Sequence, residues 1–310
     1  MDLLRRIDFA NMALLLMLLA CACASPGKGL KQERLPVVAT IFPVADLVRN
    51  VGGAHVSVST LLPAGASPHT FDPKPTQVRL VAEARIFFEI GAGLEQWSGK
   101  IARASGNRNL DVVQLSDGLE LLCSPDGRRC ETELSHTGSV PNPHVWLDPQ
   151  NAIRMVERIA CSLSKVDPEH AAAYEANAAA YGQDLQILDE EIRSAVERFS
   201  TRRYVAFHSA WIYFAHRYGL QAMGIIEESP GKEATPKHLK GIIDVVRSHG
   251  VAVIFAEPQL NSKEAEVIAR ESGAQIAFLD PLGGEDVEGR DSYLNLMRYN
   301  LSEMERTLGE

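Results

Sequence analysis

Between residues 168 and 199 the apolar positions Tyr174, Ala178, Tyr181, Leu185, Leu188, Ile192, Ala195 and Phe199 recur at alternating steps of four and three. That spacing draws one stripe along one long helix. Asp167 followed by Pro168 specifies its start, an acceptor side chain at the N-cap and a fixed φ at the first helical position. At about 1.5 Å per residue the rod reaches roughly 48 Å, the breadth of a domain. Short apolar runs broken by turns lie on both sides of it. Before it, residues 35–41, 56–62, 85–90 and 109–114 read as strands, alternating with helices at 46–51, 76–83 and 94–104; a further helix at 149–165 is capped by Asp148. After it, strands at 204–207, 220–226, 251–256 and 274–279 alternate with helices at 209–218, 236–249, 263–272 and 291–308. Strands with little in–out alternation, separated by single helices, indicate parallel sheet covered on both faces.

The pattern therefore predicts an α/β protein of two lobes, each a mostly parallel β-sheet flanked by helices, joined by one long rigid helix. The expected divisions are an N-terminal lobe at 35–166, a linking helix at 167–200 and a C-terminal lobe at 201–310. A helical-hairpin arm or a coiled-coil dimer segment is the other reading of an alanine-rich stripe. The two lobes share a βα rhythm, and no residue-level repeat is visible between them.

Ahead of the first strand the pattern changes. Arg5 and Arg6 precede an apolar run at 12–20 that is too short to span a bilayer, and Cys21 follows. This is an export signal, with residues 1–20 as the signal peptide. Leu18-Leu-Ala-Cys21 resembles the bacterial lipobox, which makes Cys21 the expected lipid anchor and 21–34 a lipidated tether; cleavage to a soluble periplasmic or secreted form is the alternative. Export puts the other cysteines in an oxidising compartment. Cys123 and Cys130 flank a turn-rich insert and are expected to form a disulfide, a thiolate metal pair being the weaker option at that spacing. Cys161 falls within an apolar helical pattern and is expected to be a buried thiol. The net charge of −9 argues against a nucleic-acid surface, which needs a basic patch.

Candidate chemistry is concentrated in histidines. Of nine, His69, His144 and His208 each stand at a loop beside a regular element, in Ser67-Pro-His-Thr-Phe-Asp-Pro73, Pro143-His-Val-Trp-Leu-Asp-Pro149 and Phe207-His-Ser-Ala-Trp211. Asp280 holds the same kind of place after the last strand. The C-terminal ends of parallel strands are where α/β lobes present ligands. Three imidazoles and one carboxylate can complete a tetrahedron around zinc, and four protein ligands leave no open position for water. The structural alternative for each histidine is a loop imidazole bonded to backbone, and the wide spacing matches no short metal motif. Asp72 and Asp148 read as turn-fixing groups, His55, His170, His216, His238 and His249 as surface or packing residues, and His136 as a group that an incoming ion could meet transiently.

Taken together, Leu62-Pro-Ala-Gly-Ala-Ser-Pro-His-Thr-Phe-Asp-Pro73, Asn142-Pro-His-Val-Trp-Leu-Asp-Pro149, Phe207-His-Ser-Ala-Trp-Ile-Tyr-Phe214, Glu228-Ser-Pro-Gly-Lys-Glu233, Ile254-Phe-Ala-Glu-Pro-Gln259 and Asp280-Pro-Leu-Gly283 resemble the substrate-binding lipoproteins of the zinc and manganese ABC importers, the cluster 9 family. The resemblance runs from Leu35 to the last helix. It implies two lobes joined by a rigid helix with one metal ion clamped in the interlobe cleft, and it places the ligands at His69, His144, His208 and Asp280. The family's manganese binders typically carry glutamate at the position of His208, so a third imidazole points to a zinc-type member. The histidine-rich acidic loop of some zinc members is absent, and only the Cys123–Cys130 insert and His136 stand there. Glu257 matches a residue near the cleft and reads as a strand-end acid bonded to backbone.

The implied function is extracytoplasmic high-affinity binding of Zn2+ and its delivery to a membrane ABC permease, by a monomer on the periplasmic or outer face of a bacterial membrane. Capture of Mn2+ or Fe2+ is the alternative within the class. A zinc hydrolase would need a water position and an oriented base, for which Glu227, Glu228 and Glu257 have no compelling motif. A structural or adhesive lipoprotein would explain the tether and not the four converging residues. The expectation is a binding protein and not an enzyme.

Overall fold

The structure is a computed structural model that describes residues 34–123, 128–130, 140–227 and 231–309. The expected signal peptide, Cys21 with its tether as far as residue 33, His136 and Glu228 lie outside the described residues. Among the described residues no helix is long and apolar enough to cross a membrane.

The first sheet contains β1 (Leu35–Ala39), β2 (Val56–Thr60), β3 (Ile86–Glu89) and β4 (Asp111–Gln114), all parallel, in the order β2-β1-β3-β4. Between them run α1 (Phe42–Gly52), α2 (Pro75–Glu83) and α3 (Ser98–Ala104). The second sheet contains β5 (Arg203–Ala206), β6 (Gln221–Ile225), β7 (Val253–Ala256) and β8 (Gln275–Phe278), also parallel, in the order β6-β5-β7-β8. Its connections are α6 (Ile212–Tyr218), α7 (Pro236–His249) and α8 (Lys263–Ser272), and α9 (Tyr293–Leu308) closes the chain. The two sheets thus repeat one strand order without repeating a sequence. In each, the chain turns outward in opposite directions from the first strand, so a crevice opens between first and third strands at their C-terminal ends.

Two helices lie between the sheets, α4 (Pro149–Val166) and α5 (Ala171–Glu197). Asp148 caps α4 as its sequence position predicts, its Oδ1 accepting the Gln150 N–H at 2.8 Å. The linking helix begins differently. Pro168–His170 form a 3-10 turn before α5, and the Asp167 carboxylate accepts the Tyr174 hydroxyl and meets His170 Nδ1, both at 2.7 Å, instead of capping backbone. Every residue of the predicted stripe, from Tyr174 to Phe199, is buried. A single apolar cluster passes from Val37 and Phe88 of the first sheet, through Leu185, Leu188 and Ile192 of α5, to Phe255 and Met297 of the second lobe. The linking helix is therefore an internal wall of both lobes, and the coiled-coil reading has no exposed stripe to use.

Cys123 and Cys130 form the expected disulfide, with Cα atoms 5.1 Å apart. Cys161 is a correction: it is a free, exposed thiol. The buried face of α4 runs through Ala152, Val156, Ile159, Ala160 and Leu163, and Cys161 lies about 100° round the helix from Ala160.

Candidate metal centre

His208 follows β5 by two residues, Glu257 follows β7 directly, and Asp280 follows β8 by two. All three stand at the C-terminal edge of the second sheet, and His208 and Glu257 face each other across the crevice between β5 and β7. The first lobe supplies His69 from the loop after β2. Trp97 fixes that loop by donating its indole N–H to the Pro68 carbonyl at 3.0 Å and by packing edge-on against Phe71. His144 sits at the N-terminal side of the turn that leads into α4. Its segment is tied across to the second lobe, since Asn142 Nδ2 donates to the Ser209 carbonyl at 2.7 Å and Tyr213 donates its hydroxyl to the Asn142 carbonyl at 2.7 Å.

These anchors bring the three imidazoles together. His69 Nε2 lies 3.3 Å from His144 Nε2, and His208 Nε2 lies 3.1 Å from the same atom. Among the described residues they form the one group of three or more candidate ligands whose donor atoms lie within 4.8 Å of one another. They line a cavity of about 10 Å³ together with Trp146, Glu257 and Gln259, room for a single small ion. A groove of about 800 Å³ outside α4 and α5 is far larger and contains no histidine.

Hydrogen bonds on the far side of two of the rings orient them. Glu257 Oε1 lies 2.5 Å from His208 Nδ1, and Asn142 Oδ1 lies 3.0 Å from His144 Nδ1. Both oxygens are acceptors, so both Nδ1 atoms donate, and in the neutral rings both Nε2 atoms present lone pairs. Two lone pairs aimed at each other across 3.1 Å repel unless a cation lies between them. Zinc bonds to imidazole of about 2.0–2.1 Å in a tetrahedron put neighbouring nitrogens about 3.3–3.4 Å apart, close to the spacings observed. The residues present therefore fit a divalent ion. Burial, and then the neighbouring His208, lowers His69 to about 4. Burial, His208 and His69 hold His144 well below the usual imidazole range. Both rings are thus uncharged at neutral pH, each with one ring nitrogen free to ligate. Burial pushes the Glu257 carboxyl up, and the charge and hydrogen bond of His208 oppose that rise.

Asp280 is close by and is otherwise engaged. Its Oδ1 accepts Gln259 Nε2 at 2.7 Å and the N–H groups of Leu282 and Gly283 at 3.0 and 3.1 Å, and its Oδ2 accepts Arg290 at 2.8 Å. The structure brings His69, His144 and His208 into one group and leaves Asp280 beside it, bound to Arg290. Glu257 was expected to bond to backbone and instead buttresses His208. Asn142 lies in a segment that carries the resemblance, but nothing there marks its reach to Ser209, and Arg290 carries no signal for its pairing with Asp280.

Two parallel-sheet lobes joined by a long helix, with an imidazole cluster drawn from both, define a two-lobe binding protein for a divalent metal ion. A profile described as "ZnuA: Zinc-uptake complex component A periplasmic" matches residues 37–307, and the chain belongs to that family. It is a periplasmic metal-binding component of an ABC importer and not an enzyme. The chain is 29% identical over 305 residues to the manganese-binding lipoprotein MntA of Halalkalibacterium halodurans, covering 96% of this chain and 97% of the relative. It is likewise 29% identical over 292 residues to the zinc-binding protein AdcA of Streptococcus pyogenes, covering 90% of this chain and 57% of AdcA, so it spans little more than half of that relative's length. A crystal structure of ZnuA superposes with a TM-score of 0.79 at 29% identity, covering 89% of this chain and all of the other.

Proposed function

We propose that this protein captures Zn2+ with high affinity outside the cytoplasm and delivers it to the permease of an ABC importer. The observation that carries the reading is the convergence of the Nε2 atoms of His69, His144 and His208, with His144 Nε2 3.3 and 3.1 Å from the other two, close to the spacing of a zinc tetrahedron. Asp280 is the fourth ligand in this reading, reached by a turn of its side chain, and leaves the loaded site with a net charge of +1. The first lobe (35–166) then contributes two ligands and the second (201–310) two, with 167–200 between them. Acylation at Cys21 keeps the monomer at the membrane face beside its permease.

Nitrogen-rich donor sets favour Zn2+ over Mn2+, which prefers oxygen and sits lower in the affinity order for such ligands. The manganese-binding relative supports a second reading, Mn2+ capture at the same residues. Equilibrium dialysis of metal-free protein against Zn2+ with an excess of Mn2+, followed by elemental mass spectrometry, separates the two. One zinc per chain is expected, and retention of manganese overturns the zinc assignment.

A further inference from the structure

Asp280 is held in an unusual way for a group beside a metal cavity. Its backbone is pinned on both sides by Asn300 of α9, which accepts the Asp280 N–H and donates to the Asp280 carbonyl, both at 2.7 Å. The side chain is only 3% exposed. The two carboxylate oxygens are held unequally. Oδ1 gathers three neutral donors, from Gln259, Leu282 and Gly283, whereas Oδ2 has Arg290 as its partner. Arg290 is less committed than Asp280. Its side chain is 22% exposed, its Nε is buried without a hydrogen-bond partner, and its guanidinium stacks over Tyr299 at 4.7 Å. It can leave Asp280 and keep that aromatic support.

Gln259 marks the way into the cavity. It lines the metal pocket and donates to Asp280, while its own Oε1 is buried without a partner. Its amide cannot be turned to satisfy that oxygen, because doing so would set it against Asp280 Oδ1. The support around Asp280 is therefore incomplete at Arg290 Nε and at Gln259 Oε1, on either side of the carboxylate.

We propose that Arg290 is an internal competitor of the metal for Asp280: the ion takes Oδ2 only by displacing the guanidinium, and the returning guanidinium helps to dislodge the ion. This rests on the zinc-binding reading above and adds a residue that regulates the same site. One cation, monovalent and partly exposed, is exchanged for another, divalent and enclosed. The three imidazoles hold the ion in either state, so Arg290 sets how tightly the fourth ligand is added and how readily it is given up. A tighter site would be a poorer donor to a permease, and the competitor limits affinity in the direction that delivery requires.

The test measures Zn2+ affinity by competition with a fluorescent chelator, and the dissociation rate by transfer to an excess of it. Wild type, Arg290→Gln, Asp280→Asn and the double variant are compared, with circular dichroism as the check of folding. Arg290→Gln is expected to bind Zn2+ at least about tenfold more tightly with correspondingly slower release, and that gain is expected to vanish when Asp280 is Asn, as coupled neighbours require. Unchanged or weaker binding by Arg290→Gln overturns the proposal. So does a gain that persists in the double variant, since it would then reflect simple charge repulsion. If Arg290→Gln does not fold, Arg290→Lys carries the test, because a point charge without the planar fork holds the carboxylate less well and binding should tighten in the same direction; unchanged affinity overturns the proposal. His144→Ala is measured alongside. If it binds zinc like wild type, the zinc site itself is misassigned, an outcome distinct from failure of the Arg290 role alone.

Discussion

Glu95 is buried, and its carboxylate accepts the Thr40 hydroxyl at 2.6 Å and the N–H groups of Ile90 and Gly91 at 2.9 and 3.1 Å. It closes a turn in which Gly91, Ala92 and Gly93 all have positive φ, a conformation that costs the alanine of order 1 kcal/mol. That turn leads to Trp97, which holds the His69 loop through the Pro68 carbonyl, so a buried acid in the first lobe supports a candidate ligand it never touches. Burial raises the Glu95 carboxyl to about 7 despite the hydrogen bonds from Thr40 and Ile90 that lower it. The sign of the consequence follows from linkage. Between the ordinary glutamate value of 4.5 and about 7 the folded chain holds a proton that the unfolded chain has lost, so this group's contribution is full below 4.5 and is lost as pH rises through 7. Stability measured by urea denaturation at pH 5 and pH 8 should therefore fall in wild type relative to Glu95→Gln as pH rises. A difference between the two proteins that does not change with pH would contradict the assignment. The sequence made His69, His144 and His208 legible because a loop imidazole beside a strand or helix end is a local pattern. It placed Glu257 near the cleft but not against His208, and it marked neither the Arg290 bond to Asp280 nor the Asn142 reach to Ser209, because these partners lie 49, 10 and 67 positions away and meet only after the chain has folded back.

Among the elements, α7 and α8 keep the bounds that their sequence predicts. Thr235 caps α7, its Oγ1 accepting the His238 N–H, and Gly250 and Gly273 end the two helices in the left-handed region. Where the bounds moved, a local cause is visible. Helix α1 starts at Phe42 and not at 46, since Pro43 is tolerated in a first helical turn, and α3 starts at Ser98 because the glycine turn and Glu95 occupy the residues before it. The linking helix carries one buried charge, Asp189, which joins three elements. Arg217 donates to it from Nε at 2.6 Å and from its terminal nitrogen at 2.5 Å, Tyr218 donates at 2.6 Å, and Arg217 also pairs with Asp148 at 3.3 Å. Burial pushes the Asp189 carboxyl up, yet the bonds from Arg217 and Tyr218 outweigh it and hold the group below the usual carboxylate range. Replacing it with Asn leaves Arg217 with half its partners inside the fold, and Asp189→Asn should lose roughly 3 kcal/mol of stability. A shift in the urea midpoint at constant slope measures this. A loss under about 0.5 kcal/mol, the range of ordinary surface substitutions, would show that the node is not structural.

For the whole molecule, the repeated strand order creates two crevices, and the long helix fixes how they face. That much was legible from the alternation of short apolar runs about one continuous stripe. What stayed hidden was the seam between the lobes, where Trp146 donates to the Pro281 carbonyl at 2.8 Å, Arg49 pairs with Glu285, and Asn142 reaches Ser209. Such contacts pair residues more than 60 positions apart and leave no periodicity to read. They explain why His144, from the first lobe, meets His208 from the second with its tautomer already set. The central claim is that imidazoles from both lobes hold one ion. Zinc K-edge X-ray absorption on protein loaded with one equivalent of Zn2+ tests it most directly, because outer-shell scattering counts imidazole rings. The account predicts three imidazoles with zinc–nitrogen distances of about 2.0–2.1 Å. A spectrum requiring one imidazole or none, or one dominated by sulfur, would contradict it.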